Sequence, residues 1–439
     1  MNKNQVFIFE FICGGGFNKT SIPTSLLCEG FGMLRSIISD FKSLNFSITT
    51  ILDSRIFFLS PLLKVDEVIQ VGAKDNHLKL FEKYVNKANY IFIIAPEFSN
   101  ILYNLTKIAK NSNKTILSVN LEGIKLGTSK FKTYMFFKNC NINTPKTYLI
   151  PFKNGEIDPK FILHKLKELK QPIIIKPVDG VGAESILYFE NSNELNEFLL
   201  SRNQYIDPER YYILQEYIKG DDLSASLIGT GLNLNYKVKS PIILSINTQF
   251  LLLGSFNRKS EYFGGSTPAE SYQEIYENLK VIINHSDFSK IKGYYGIDFI
   301  RKENKLIYLL EINPRLTTSY IGLRNTINFN PVELMLNSNT KESIIDEVKY
   351  VSHSMFSRIE LQYKGNLPIE EIQEICMSSL LEKIPELVTP PISLDKSPNF
   401  SCFIATNTKD FLSSKNRVNE IIEILNEFDF TTVISILIK

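Results

Sequence analysis

The stretch Gly296-Ile297-Asp298-Phe299-Ile300-Arg301, the polar run Lys302-Glu303-Asn304-Lys305, and the return Leu306-Ile307-Tyr308-Leu309-Leu310-Glu311-Ile312-Asn313-Pro314-Arg315 decide the reading of this chain. The two flanks alternate and the polar run between them can turn, so the pattern predicts a β-hairpin. With Arg301 facing Leu306, Asp298 lies opposite Leu309. The period of two then places Leu309, Glu311 and Asn313 on the face that carries Asp298. Two carboxylates and an amide converge there. That set suits Mg²⁺, which takes hard oxygen ligands and keeps other positions for water and phosphate oxygens; Mn²⁺ accepts similar donors. The competing reading is a surface hairpin with an ordinary polar face, and other segments decide between the two.

Composition narrows the classes. At 439 residues the chain has room for about three domains. Its 44% hydrophobic and 22% charged residues are those of an ordinary soluble protein. A net charge of +2 makes no case for nucleic acid or a membrane as a partner. No apolar run reaches about 18 residues, and Met1-Asn-Lys-Asn-Gln5 leads straight into a strand-like run, so a cytoplasmic protein is expected. Cys13, Cys28, Cys140, Cys376 and Cys402 are scattered without a C-x-x-C pair, against a disulfide framework or a zinc site. His77, His164, His285 and His353 are equally dispersed, and nothing suggests Ser-His-Asp or Cys-His catalysis.

Residues 1–125 alternate strand-like and helix-like segments: Val6 to Ile12, a helix from Pro23 to Phe41, Ser47 to Leu52, a helix near Asp75 to Asn86, and Tyr90 to Ala95. This order predicts an open α/β sheet. Gly14-Gly15-Gly16 follows the first strand without the spacing of a dinucleotide fingerprint, which leaves a tight turn or a substrate loop. Asp53, Arg55 and Glu97 come just after strand-like runs, where open α/β sheets place ligand groups, although each alone reads first as structural.

A second region begins near Gly127. Lys130 to Asn139 reads as a helix, Lys146 to Ile150 as a strand and Pro159 to Leu169 as an amphipathic helix. Pro172 to Lys176 reads as a short strand bounded by Pro177. Lys176 ends three consecutive isoleucines, so its ammonium emerges at the edge of a buried strand. Asp179-Gly180-Val181-Gly182-Ala183 follows at once, and its amides can cover phosphates while Lys176 supplies a point charge, or it can be a simple Gly-rich turn. Further on, Gln215-Glu216-Tyr217-Ile218-Lys219-Gly220-Asp221-Asp222 joins two strand-like segments. It can hold a purine between apolar groups with Asp222 on a ribose, or be core followed by a solvated turn.

Taken in order, Lys130, Ile173-Ile-Ile-Lys176-Pro177, the Gly180/Gly182 loop, Gln215 to Asp222, Gly296-Ile-Asp298 and Glu311-Ile-Asn313-Pro-Arg315 resemble the ATP-grasp superfamily of carboxylate-amine ligases over about residues 125 to 335. The resemblance implies a mixed α/β and α+β architecture, a Rossmann-like domain at 1–125 and two subdomains gripping ATP at 126–212 and 213–336; the extension at 337–439 is a departure from it, by about 100 residues. The resemblance also implies that Lys130 and Lys176 contact ATP phosphates beneath Gly180 and Gly182, that Glu216, Tyr217 and Ile218 line adenine, and that Asp222 holds ribose. Many members carry Glu where this chain has Asp222. Asp298, Glu311 and Asn313 would carry Mg²⁺. The chemistry such groups permit is phosphoryl transfer from ATP to a carboxylate, giving an acyl phosphate that an amine then attacks. Arg315 would stabilise the transferred phosphoryl or the oxyanion, or else anchor the Pro314 turn.

A narrower resemblance rests on Phe9-Glu-Phe-Ile-Cys-Gly-Gly-Gly16, Glu29-Gly30 to Arg35, Leu52-Asp53-Ser54-Arg55, Ala95-Pro-Glu97, Asn247-Thr-Gln249, Gly264-Gly-Ser-Thr-Pro268 and Asn313 to Leu323. These look like the tyramine-L-glutamate ligase group of methanofuran biosynthesis, whose reaction joins the γ-carboxyl of glutamate to tyramine. Candidate substrate groups by residue type and position are Glu97 for an ammonium and Arg258 and Arg324 for a carboxylate. Asn247, Gln249, Thr317 and Ser319 are hydrogen-bonding neighbours. The partners implied are a small carboxylate and a small amine, and a homo-oligomer is compatible with this reading. After about Leu336, strands Ser354 to Tyr363, Asn399 to Ala405 and Phe430 to Ile438, helices Pro368 to Glu386 and Asn416 to Phe428, and a break at Thr389-Pro390-Pro391 predict a small α/β appendage. Two other readings stay open: an amino-acid or peptide ligase of the D-alanine-D-alanine type, and an ATP-binding scaffold without turnover.

Overall fold

In the computed structural model the described residues are 4–153, 156–170, 172–180, 182–183, 186–200, 206–229, 241–255, 258, 260–336 and 348–433. Strands β1 (Gln5–Glu10), β2 (Ser47–Asp53), β3 (Glu67–Val71), β4 (Tyr90–Ile94) and β5 (Thr115–Ile116) form a parallel sheet in the order β3-β2-β1-β4-β5. Helices pack on both faces, so β1 reads Val6-Phe7-Ile8-Phe9 with every side chain buried, as a central parallel strand must. The strand order reverses between β1 and β4, and a crevice therefore opens beyond their carboxyl ends. Glu10, Pro96 and Glu97 lie at that crevice. The helices and strands expected here are present within a residue or two, while β3, short and half-buried, was not foreseen.

The next strands are β6 (Thr147–Leu149), the small hairpin β7 (Phe152–Lys153) and β8 (Glu156–Ile157), then β9 (Ile173–Pro177), β10 (Leu187–Phe189) and β11 (Tyr212–Glu216). Four of them make an antiparallel sheet, β10-β9-β11-β6. Helices Pro159–Leu169 and Ser192–Leu200 cover one face, burying Ile162, Ile173, Ile175, Phe189, Leu195 and Phe198 together. Alternation along β9 sends Ile173 and Ile175 into that core and turns Ile174 and Lys176 the other way.

The largest sheet is built from β12 (Asp221–Gly229), β13 (Ile242–Leu252), β14 (Glu261–Thr267), β15 (Gly293–Arg301), β16 (Ile307–Asn313), β17 (Ser354–Tyr363), β18 (Leu387–Ile392), β19 (Asn399–Ala405) and β20 (Phe430–Thr432). Its order is β16-β15-β12-β13-β14-β17-β19-β18, with β20 on the far part of β17. The C-terminal α/β unit is thus joined to the rest by main-chain pairing of β14 with β17, from Gly264↔Ser357 to Thr267↔Ser354. Gly264 has φ +118°, and a Cβ there would sit 2.0 Å from the Phe356 carbonyl, so no other residue fits this junction. The unit carries its own core of Ile359, Leu361, Ile372, Leu380, Phe400 and Val418.

Three expectations for this unit change. Thr389-Pro390-Pro391 is not a break but lies inside β18, an edge strand where prolines cost no ladder hydrogen bond. The single helix expected from Pro368 to Glu386 is two, Ile369–Met377 and Ser379–Lys383, because Ser378 leaves helical geometry at φ −123°, ψ −92°. The last helix starts at Phe411, five residues before Asn416, because Asp410 caps it by accepting from the Ser413 N–H at 2.8 Å. Of the strand expected at Phe430 to Ile438, Phe430–Thr432 is found, and 434–438 lie outside the described residues. Among the described residues no helix is long and apolar enough to cross a membrane.

Candidate active site

The hairpin that opened the reading is β15 and β16, with a different register from the expected one. Arg301 pairs with Ile307 rather than Leu306, because the half-exposed Leu306 closes the turn by accepting the Lys302 N–H at 3.0 Å. A bulge between Phe299↔Leu309 and Asp298↔Glu311 then inserts Leu310. Asp298 consequently faces Glu311, Gly296 faces Asn313, and Leu309 turns into the core instead of sharing their face. Without that extra residue the period of two would carry Leu309 to the side of the acids.

Asp298, Glu311 and Asn313 do converge. The Asn313 amide donates to Asp298 Oδ2 at 2.9 Å, and Gln249 on β13 donates to Asp298 Oδ1 at 3.0 Å. Lys130, at the start of helix Lys130–Asn139, places Nζ 3.2 Å from Glu311 Oε2, and Lys176 Nζ stands 3.7 Å from the same oxygen. Lys130 also donates to the Gly180 carbonyl at 3.1 Å, tying the glycine loop to the cluster. Burial and the adjacent Glu311 raise the carboxyl of Asp298 well above the usual range. Burial pushes Glu311 upward too, but the ammonium groups of Lys130 and Lys176 outweigh it and hold this carboxylate low. Burial depresses Lys176 in spite of Glu311. A divalent cation fits these donors: Glu311 Oε2 is buried without a well-aligned hydrogen bond, Asp298 offers two oxygens, and a half-turn of the Asn313 amide presents its oxygen.

Lys176, Asp298, Glu311 and Asn313 line a cleft between the two antiparallel sheets, and Lys130 and Gly180 line the adjoining space with Lys176 and Gly182. Asp222, Ser224, Gln249, Arg315, Thr317 and Ser319 also line the cleft. Gly180 and Gly182 have positive φ, +141° and +68°, and a Cβ on Gly182 would meet nothing, so Gly182 faces open space. Arg210, which the sequence reading did not single out, holds this loop by donating to the Asp179 carbonyl and carboxylate. Burial, then Asp221, lifts the Asp222 carboxyl to about 6. Glu216 accepts the Lys146 N–H at 2.9 Å, Tyr217 meets Tyr188 edge-on at 5.0 Å, and Ile218 is buried.

The substrate candidates divide. Thr317 and Ser319 share a hydrogen bond at 2.7 Å beside the cleft and reach Tyr294 and Ser226. Asn247 lies on the cleft face of β13 but is fully buried, its amide donating to Ser224 Oγ and Ser226 Oγ at 3.2 and 3.3 Å. Glu97 is not open to an ammonium, because Arg315 Nε occupies it at 3.0 Å. Arg324 is not a cleft residue: it clamps Asp40 of the first long helix (Thr24–Ser43), with Nε 3.0 Å from Oδ1, and Tyr320 donates to the same carboxylate at 2.6 Å. Arg258 is exposed, and its backbone N–H bonds the Ser255 carbonyl away from these groups.

Beyond Arg315 the cleft runs into a second cavity, at the crevice beyond β1 and β4. Gly182, Ala183, Glu29, Tyr262 and Arg315 line both spaces. Glu10, Glu261 and Arg358 complete the charged wall of the second one. The sequence carried one signal for it, an acid at Glu10 inside an otherwise apolar strand.

Two family models match this chain consecutively, a pre ATP-grasp 3 domain over residues 46–124 and an ATP-grasp domain over residues 127–319. The chain carries an ATP-grasp domain behind a pre ATP-grasp domain, and with its relatives this supports an ATP-grasp carboxylate-amine ligase. This ATP-grasp chain is 27% identical over 348 residues to the tyramine–L-glutamate ligase of Methanocaldococcus jannaschii, covering 78% of this chain and 92% of that protein. Among solved structures it resembles an ATP-grasp superfamily protein from Archaeoglobus fulgidus, at 23% identity and a TM-score of 0.57 over 83% of this chain and 95% of the other. It also resembles the L-amino acid ligase from Bacillus licheniformis, at 14% identity and a TM-score of 0.62 over 98% of each chain. That fold match spans the C-terminal unit as well. ATP-grasp membership implies use of ATP with a divalent metal and small-molecule substrates.

Proposed function

We propose that the enzyme joins L-glutamate to tyramine or a closely similar amine, releasing ADP and phosphate, with Mg²⁺ as the divalent ion and Mn²⁺ able to replace it. The observation that carries this reading is the cluster of Lys130, Lys176, Asp298, Glu311 and Asn313 around one cleft. A relative named tyramine–L-glutamate ligase that aligns over nearly its whole length points to the substrates. When bound at Asp298, Glu311 and Asn313, the metal neutralises triphosphate charge and orients the γ-phosphoryl group.

The chain's own groups do the rest. Lys130 and Lys176 draw the phosphate oxygens, and the open Gly180/Gly182 loop offers its amides from above. The end of β11, Glu216 to Ile218, lies against the base, and Asp222 takes the ribose hydroxyls. The carboxylate substrate attacks the γ-phosphorus, and the amine then displaces phosphate from the acyl phosphate. Burial opposes charge on Arg315, but its ion pair with Glu97 more than offsets this and keeps the guanidinium charged. Standing between the two cavities, Arg315 stabilises the transferred phosphoryl and the oxyanion that follows.

The test is ADP release by the purified protein with Mg-ATP, glutamate and tyramine, beside other amine and amino-acid pairs, with mass analysis of the product. A mass equal to the glutamate–tyramine condensation product is expected. Turnover only with a pair of amino acids would replace this reading by a ligase of the D-alanine-D-alanine type.

A further inference from the structure

On the reading above the nucleotide lies in the first cleft, which leaves the second cavity, with its own charged wall of Glu10, Glu29, Glu261 and Arg358, for another substrate. Glu10 ends β1, is 2% exposed, and accepts the Cys13 N–H at 2.7 Å. Among the described residues no lysine, arginine or histidine lies within ion-pair distance of it, unlike the other carboxylates of this wall. Glu29 stands 3.0 Å from Arg358, which also reaches Glu360 at 2.7 Å and Glu261 at 3.9 Å. Arg315 is taken by Glu97. Both guanidinium groups are therefore already neutralised by carboxylates, and the wall has an excess of negative charge. The remainder is apolar: Ile12, Leu26, Met33, Ile94, Pro96 and the ring of Tyr262.

Gly30 makes the placement of Glu10 possible. A Cβ on Gly30 would lie 2.8 Å from Glu10 Oε2 and 3.0 Å from Oε1, so only a bare backbone lets the helix Thr24–Ser43 close over that carboxylate. The Glu-Phe-Ile-Cys-Gly-Gly-Gly and Glu29-Gly30 segments thus meet at one point in space. The C-terminal unit closes the same cavity by supplying Arg358 from β17.

We propose that this cavity holds the acceptor amine, that Glu10 binds its ammonium and takes the proton it must lose, and that the acceptor is a primary amine on an apolar body without a carboxylate. This rests on the ligase reading above. One proton passes from R–NH₃⁺ to the Glu10 carboxylate. The freed nitrogen lone pair forms the C–N bond at the acyl phosphate carbonyl, the C–O bond to phosphate breaks, and phosphate leaves with that electron pair and the second nitrogen proton. Burial, partly offset by the Cys13 N–H and by Arg315, raises Glu10 to about 7, a value suited to exchanging a proton near neutrality. Cys13 from the same loop and Arg315 from beyond β16 act on Glu10 directly, and Glu29 from the helix, Glu261 and Tyr262 from β14 and Arg358 from β17 are the other titratable and charged groups of the wall. Among the described residues of this wall Arg358 is shared by Glu29, Glu261 and Glu360, and Arg315 is committed to Glu97 and, in the proposed reaction, to the phosphoryl group, so an acceptor carboxylate would face a surplus of acids and the amine is favoured over its parent amino acid.

The experiment uses the full chain and Glu10→Gln, which keeps the volume and an acceptor for the Cys13 N–H. With glutamate and Mg-ATP, each protein is assayed with tyramine, with tyrosine, and with hydroxylamine, which is small, largely uncharged at neutral pH and traps the acyl phosphate without needing the pocket. Wild type is expected to prefer tyramine to tyrosine at least about 100-fold, and Glu10→Gln to lose about 100-fold in kcat/KM for tyramine. Hydroxamate formation, the step before the amine enters, changes by less than about threefold in the same variant. Parallel loss of hydroxamate and amide would make Glu10 structural and overturn the proposal. So would tyramine ligation near the wild-type rate, or equal use of tyrosine. A wild type that forms no hydroxamate from glutamate overturns the ligase reading instead, and the acceptor role with it.

Discussion

Replacing Lys176 by methionine separates the stability of the cleft from its chemistry. Lys176 Nζ lies 3.7 Å from Glu311 Oε2, which at an effective dielectric of about 20 corresponds to roughly 4.5 kcal/mol of attraction. Its depressed ionisation shows that the cost of burying the ammonium outweighs that attraction in the protein without nucleotide. An apolar isostere should therefore leave the melting temperature unchanged or raise it. The folded protein binds fewer protons than the unfolded chain between the depressed value and that of a free lysine. Wild-type stability accordingly rises with pH across this window, and the variant loses that slope. In the proposed complex the balance would reverse with nucleotide, a phosphate oxygen taking the place of Glu311. Losing about 4 kcal/mol from the phosphoryl-transfer transition state corresponds to about a 10³-fold fall in kcat. The assay pairs melting curves, with and without Mg-ATP, with ADP release under saturating substrates. A variant that melts 10 °C lower without nucleotide yet turns over within tenfold of wild type would refute the reasoning.

Asp40→Asn should cost about 3 kcal/mol, because it leaves Arg324 and the Tyr320 hydroxyl without their shared carboxylate. Chemical denaturation reads that loss, and KM for each substrate below the melting range should not move. Truncation after Leu336 should give an insoluble or nucleotide-silent protein, since it bares the β14 edge and removes Arg358 from the Glu29 wall; a soluble, active fragment would contradict this. Mg²⁺ and ATP should bind with strong mutual dependence. Calorimetry of either alone should show weak binding compared with the pair, and chelation with EDTA should abolish the ATP-induced rise in melting temperature, which Mn²⁺ restores.

Much of the fold was legible because its elements carry single, clean periods. β1 and β9 are continuous apolar runs and β15 alternates, and each strand fell where its pattern put it. The convergence of Asp298, Glu311 and Asn313 was legible too, but not their register. A bulge is invisible to a period of two, and Leu310 repairs an offset that a wider turn introduces. The substrate candidates fared unevenly for a different reason. Residue type shows that Arg324 and Glu97 carry charge, while their partners, Asp40 and Arg315, lie 284 and 218 residues away and only the tertiary fold brings them together. The acid Glu10 in an apolar strand was the one sequence signal for the second cavity, and Arg358 lay in a segment whose pattern reports strand alone, so the cavity became visible only when β1, the first long helix and β17 met.

The charges of the unliganded cleft explain why its groups are poised rather than merely present. Lys130 and Lys176 stand against Asp298 and Glu311, two cations against two acids in a buried space, and the cluster is formally neutral. A divalent ion entering alone would have to displace two ammonium groups from Glu311 and leave them facing new positive charge. A triphosphate entering alone would bring its oxygens to the lysines while Asp298 and Glu311 still stand beside them, negative against negative. On the proposed site assignment the metal–nucleotide complex would resolve both conflicts, with the lysines held by phosphate oxygens and the carboxylates by the metal. Each existing ion pair therefore holds a side chain in place for a partner of the same charge as the one it leaves. In the proposed reaction this exchange keeps the cleft ordered before binding, and it makes the charge-matched complex the species that opens it.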